Sequence, residues 1–145
     1  MLIFESLGLI EAEKAIAAGV AAATKLAKPM AFAVADHRGE MIATARMDGA
    51  NPRILRHSIR KAYTAALMCR HTLAFKRDLE ERAGALDQWG DPNLTTLPGG
   101  LAVQANGAHV GGVGAGGGGP DDEAVACAMV EAMGFTVAED GRATR

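Results

Sequence analysis

Aromatic residues are scarce in this chain: one Trp, one Tyr and four Phe make up 4% of its 145 residues. Aromatic side chains bury the most area each, so the core must be assembled from smaller apolar groups packed flat and close. Such a core gains little per residue, and burial between copies of the chain is expected to supplement it. Cysteine is as sparse. Cys69 and Cys127 have no CxxC spacing, so free thiols are expected, not a disulfide framework. Neither charge sign dominates: 15 Lys and Arg face 17 Asp and Glu, for a net −2. That balance excludes the basic footprint of a nucleic-acid or anionic-membrane binder. No long hydrophobic run exists either. The stretch Ala15 to Ala23 is too short to span a bilayer and contains Gly19. The opening Met1 to Glu5 lacks the basic start and long apolar segment of a signal peptide. A cytoplasmic protein with no membrane or nucleic-acid partner is the expectation.

What is present is small and apolar: 49% hydrophobic residues and 18 glycines. The length suits one domain, expected over residues 1–135, followed by a polar tail over 136–145 that is expected to fray. Ser6 is a candidate N-cap for a first helix. Leu9, Ala12, Ile16, Val20, Ala23 and Ala27 follow at steps of three and four, and Pro29 ends it. Met30 to Asp36 and Glu40 to Arg46 read as strands around the turn at Asp36 to Gly39. After Pro52 a second helix carries the stripe Leu55, Ile59, Ala62, Ala66 and Cys69, and a charged third helix spans about 73–82. Residues 84–98 show no period and read as a long loop. A second hairpin turns at Asn106-Gly107, and Pro120 with Asp121, Asp122 and Glu123 opens a last helix that Gly134 closes. Hairpin-linked strands with interspersed helices make an α+β fold with an antiparallel sheet.

Several residues invite chemistry. Gly114, Gly116 and Gly119 satisfy G-x-G-x-x-G, but no βαβ unit surrounds them and no Lys-Ser/Thr follows, which removes a nucleotide reading. Amides exposed beside a small ligand remain a use for four consecutive glycines. Ser58 and Lys61 match S-x-x-K, yet the companion motifs of serine–lysine acyl transferases are missing, so the match reads as chance. His37, His57, His71 and His109 lack metal-site spacing, so no structural metal is expected. Each histidine, like Met47 or Met68, is chemically able to serve as an axial haem ligand. His57 stands one helical turn before Lys61, which puts both toward one cavity. Arg46 ends a strand, where its planar fork suits a carboxylate.

The segments are most informative in series. Val34-Ala35-Asp36 with Gly39, Arg46-Met47-Asp48-Gly49-Ala50, Lys61-Ala62-Tyr63-Thr64-Ala65-Ala66, Pro98-Gly99-Gly100-Leu101, Val110-Gly111-Gly112-Val113-Gly114 and Asp122-Glu123-Ala124-Val125-Ala126 occur in that order. This series resembles the GlcG/HbpS family, which also includes the C-terminal domain of PduO-type proteins. The likeness covers about residues 6 to 134, and its most specific blocks are R-M-D-G-A and D-E-x-x-A. The resemblance implies a profilin-like antiparallel sheet flanked by helices, assembly as a homo-oligomer, and candidate pocket residues Arg46, Lys61, Gly99, Gly100 and Glu123. Gly116 and Gly117 extend that set through the glycine turn. Two departures stand out: Gly114-Ala115-Gly116-Gly117 replaces a V-S-G-G stretch and lacks its hydroxyl, and the first helix has no histidine to ligate haem.

Two functions follow as expectations. In one, the chain binds haem or a related tetrapyrrole carboxylate, with Arg46 and Lys61 on the propionates and His57 on iron. In the other it is a cofactor-free catabolic enzyme, a tautomerase, isomerase or lactone hydrolase of a small unsaturated acid. Arg46 would then hold the carboxylate, and Lys61 or Glu123 would move the proton.

Overall fold

Where a sheet is floored with glycine and alanine, a helix can lie on it backbone to backbone, and this chain uses that geometry. The structure, a computed structural model, describes residues 1–141. Its elements are α1 (Leu9–Lys25), β1 (Ala31–Asp36), β2 (Met41–Arg46), α2 (Pro52–Met68), α3 (Thr72–Glu81), β3 (Gly100–Ala105), β4 (Ala108–Gly116) and α4 (Asp122–Ala132). Single 3₁₀ turns at Leu86–Trp89 and Gly119–Asp121 punctuate the long loop and the entry to α4. The strands form one antiparallel sheet in the order β2-β1-β4-β3. The architecture is thus the expected α+β fold, an open four-stranded sheet between helices. None of the described helices is long and apolar enough to cross a membrane.

The two faces of the sheet differ in residue size. Ala33 and Ala35 on β1 pair with Gly114 and Gly112 on β4, and Gly100 and Ala102 on β3 pair with the same two glycines. α2 lies on this face. A Cβ on Gly114 would sit 2.1 Å from the Ser58 carbonyl oxygen, one on Gly112 2.6 Å from that of Ala62, and one on Gly100 2.6 Å from that of Lys61. The glycines therefore permit a helix–sheet contact that no side chain could. The other face is conventional: Phe32, Val34, Leu101, Val103 and Val113 pack beneath α1 and α4, against Ala12, Ala15, Val125, Met129 and Val130. Gly19 interrupts α1 because the Phe32 ring occupies the space its Cβ would need, at 2.8 Å.

The sequence stripe for α1 holds at Ala12, Ile16, Val20 and Ala23, which are buried or packed on the core, but its start differs. Leu9 is mostly exposed while Ala15 and Gly19 are buried, and Gly8 is the N-cap, its N–H donating to Glu11 Oε2. Ser6 instead accepts from the His37 amide. Small residues win the interface because α1 approaches the sheet closely.

The polar tail does not fray as far as it is described. The His71 N–H donates to the Asp140 carbonyl, Arg70 pairs with the Asp140 carboxylate at 2.6 Å, and Gln104 donates to the Gly141 carbonyl. Residues 142–145 of that tail lie outside the described residues. His71 is the buried centre of this anchorage: Nδ1 accepts from the Ala102 amide, and Nε2 donates to the Ala138 carbonyl. Both bonds suit the neutral ring.

Three outcomes are expected. Gly114→Ala should cost about 3 kcal/mol or more in urea unfolding, as overpacking against backbone that cannot yield. Gly90→Ala, at φ +66° with nothing within 4 Å, should cost only about 1 kcal/mol from its left-handed conformation. For His71, burial holds the pKa below its ordinary 6.5. The folded value lies below the unfolded one, so this contribution is whole above pH 6.5. It is lost as pH falls from there toward the lowered value. Thermal unfolding midpoints should therefore fall more steeply below pH 6.5 in the wild type than in His71→Gln.

Candidate functional site

α2 begins where Asn51 caps it, its Oδ1 accepting the Arg53 N–H at 3.0 Å, with Pro52 at the first helical position. From there Arg53, His57 and Lys61 recur every four residues and share one helix face. That face lines a cavity of about 600 Å³. Gly116, Gly117, Gly119 and Pro120 form a second wall, and Leu97 and Pro98 from the long loop a third. Asp122 and Glu123, in the first turn of α4, complete the lining, with Asp122 in contact with Lys61 of α2. The size falls within the common range for small-molecule sites.

Lys61 is the most constrained of these residues. Its side chain is 4% exposed, and Nζ lies 2.8 Å from the Ala115 carbonyl oxygen and 3.0 Å from Asp122 Oδ2. Asp122 Oδ1 in turn accepts the Gly118 N–H at 2.7 Å. One ion pair thus ties α2, β4, the glycine turn and α4 together. Of the three ammonium donors, these bonds leave one. Lys28 steadies the same turn from outside, reaching the Gly118 carbonyl and Asp121.

His57 stands half-buried between the cations. Desolvation, then the charges of Lys61, Arg60 and Arg53, hold its pKa below 6.5. At neutral pH it therefore presents an uncharged imidazole to the cavity, a form able to bind a metal centre. Arg53 has no ion pair among the described residues, and neither has Glu123.

The structure places the sequence-derived residues unevenly. His57, Lys61, Glu123, Gly116 and Gly117 all line the cavity. Gly99 and Gly100 stand behind it. A Cβ on Gly99 would meet the Ala115 carbonyl oxygen and the Asp122 side chain, so these glycines make room for the Lys61–Asp122 pair and for α2. Arg46 is not brought to the cavity. It lies on edge strand β2, in the row of Ala31 and Gly116, two strand spacings or about 10 Å from the latter. Its Nη1 donates to the Ala50 carbonyl at 2.7 Å, so within R-M-D-G-A the arginine closes its own loop. Nor do Ser58 and Lys61 form a reactive pair, because the Ser58 hydroxyl is engaged with the carbonyls of Ala31 and Ile54.

Sequence reasoning passed over Arg53 and Asp122. A signal existed for both: Arg53 sits four residues before His57, and a lysine buried among small apolar residues requires a counter-charge.

The Lys61–Asp122 pair has a measurable consequence. Asp122→Asn should destabilise the protein by about 3 kcal/mol in urea unfolding, because a buried charge loses its partner. Adding Lys61→Met should recover most of that loss.

The family described as "Haem degrading protein HbpS-like" matches residues 7–131. Protein GlcG of Escherichia coli K12 is 37% identical over 99 residues, which cover 68% of this chain and 72% of GlcG. A double mutant of Streptomyces reticuli HbpS superposes with a TM-score of 0.81 at 33% identity, covering 90% of this chain and 89% of that one. The PduOC:heme complex superposes with a TM-score of 0.82 at 25% identity, covering 92% and 99%. The matched span holds every element from α1 to α4 except the last residue of α4, and the chain belongs to the HbpS-like family.

Proposed function

We propose that this chain binds haem, or a closely related carboxylate-bearing tetrapyrrole, in the cavity between α2, the glycine turn and α4. The observation that carries the reading is His57, a neutral imidazole set among cations in a cavity whose other walls are largely apolar. Ile54, Leu97, Pro98 and Pro120 offer flat apolar contact for a ring system. His57 would hold the iron, and the cationic α2 face would attract the carboxylates. The residues present therefore fit the group. Bound haem supplies a redox-active iron; the protein's part is to hold and orient it and to limit water around it. That a family relative was solved as a heme complex supports the same reading.

Proton transfer on a small unsaturated acid is less well served. Of the three residues it needs, Arg46 is occupied outside the cavity and Lys61 is tied to Asp122 and Ala115. Only Glu123 stands at the cavity with no ion pair among the described residues.

Titration of the purified protein with hemin tests the proposal. A saturable Soret shift is expected, and His57→Ala should weaken binding at least about tenfold while leaving the unfolding midpoint unchanged. No shift in the wild type, or an unaltered spectrum in His57→Ala, would overturn it.

A further inference from the structure

We infer that Arg53 selects the carboxylate of the ligand, and that Lys61 with Asp122 forms a closed strut that shapes the glycine wall. The assignment of the ligand's binding site rests on the function proposed above; the division of labour between the two cations comes from the geometry alone.

Two full cationic side chains line the cavity, and a cation already paired with a buried carboxylate attracts a second anion weakly. Lys61 is in that position. Its partner Asp122 Oδ2 is 3.0 Å away, the pair is almost wholly buried, and the Ala115 carbonyl takes a further donor. An incoming carboxylate would have to share an ammonium that is already neutralised, beside the negative charge that neutralises it.

Arg53 is in the opposite position. It lies in the first turn of α2, where its backbone N–H goes to Asn51 and its guanidinium has no ion pair among the described residues. The positive end of the α2 dipole adds to its field. A guanidinium fork can bind a carboxylate through two parallel hydrogen bonds, which an ammonium cannot. Glu123 lines the same cavity, and its negative charge disfavours an anion beside it, which directs the ligand's carboxylate to Arg53.

The ligand class is therefore a flat apolar body with a carboxylate at one edge. Replacing that carboxylate with an ester should remove the contribution of Arg53 and leave the contacts of the ring intact.

The test compares hemin with hemin dimethyl ester, both titrated in the same detergent buffer. Wild type should bind hemin about tenfold more tightly than the ester. Arg53→Gln should lose that preference by weakening hemin alone, and Arg53→Lys should keep part of it. The double variant Lys61→Met with Asp122→Asn is expected to lower affinity for both ligands as the glycine wall loosens, with the preference retained. Should the preference survive Arg53→Gln, or vanish in the double variant, the assignment is wrong. Should neither porphyrin bind the wild type, the haem reading fails, and benzoate then tests Arg53 independently. Shifts of the Gly117 and Gly119 amide signals would report its binding. Arg53→Gln should weaken benzoate about tenfold and the double variant by less than about twofold. Equal benzoate binding by wild type and Arg53→Gln, including none by either, overturns the assignment.

Discussion

α2 rests on backbone, not on side chains. Along Gly100, Gly112 and Gly114 the helix approaches so closely that added Cβ atoms would fall within 2.6 Å of its carbonyl oxygens. Close approach of this kind gains dispersion contact over the whole length of the helix, and it leaves the facing side of α2 no space for large residues. The helix answers with Ser58, Ala62, Ala65 and Ala66, all buried. The larger apolar groups gather on the opposite face of the sheet beneath α1 and α4. A chain poor in aromatics thus divides its core into a thin glycine–alanine layer and a thicker aliphatic one.

The same closeness creates the site. Because α2 is held low on the sheet, Lys61 can reach past β4 to Asp122, and the glycine turn is pulled in between them by the Gly118 amide. A buried ion pair contributes little net stability, but it is directional, and here it fixes four segments at one corner. His57 and Arg53, one and two turns earlier on the same face, are carried to the cavity by helical geometry.

Local signals in the sequence carried most of the fold. Asn106-Gly107 names a tight hairpin turn because both residues must take positive φ, and they do, at +52° and +80°. Pro29 ends α1 and Pro52 begins α2 for equally local reasons. The site was legible only where helical spacing linked its members, as with His57 and Lys61. Whether an arginine faces a cavity or its own loop depends on packing across strands, which is why Arg46, expected at the ligand, closes its own loop while Arg53, given no role, lines the cavity. The stripe of α1 holds from Ala12 to Ala23 but not at Leu9, and hydrophobic period alone misses Gly19, which a close contact with Phe32 requires. The anchorage of the tail through His71 joins residues nearly seventy positions apart, beyond the reach of any local pattern.

The walls of the cavity differ in how they can yield. α2 cannot slide or rise, since its carbonyls sit in a glycine trough and Ser58 is hydrogen-bonded to β1. The glycine turn differs along its length: Gly119 has nothing within 4 Å of where a Cβ would be, whereas a Cβ on Gly117 would meet the Pro29 carbonyl oxygen at 2.9 Å. The spacing between Arg53 and His57, one turn apart on the seated α2 helix, is therefore constant, like marks on a ruler.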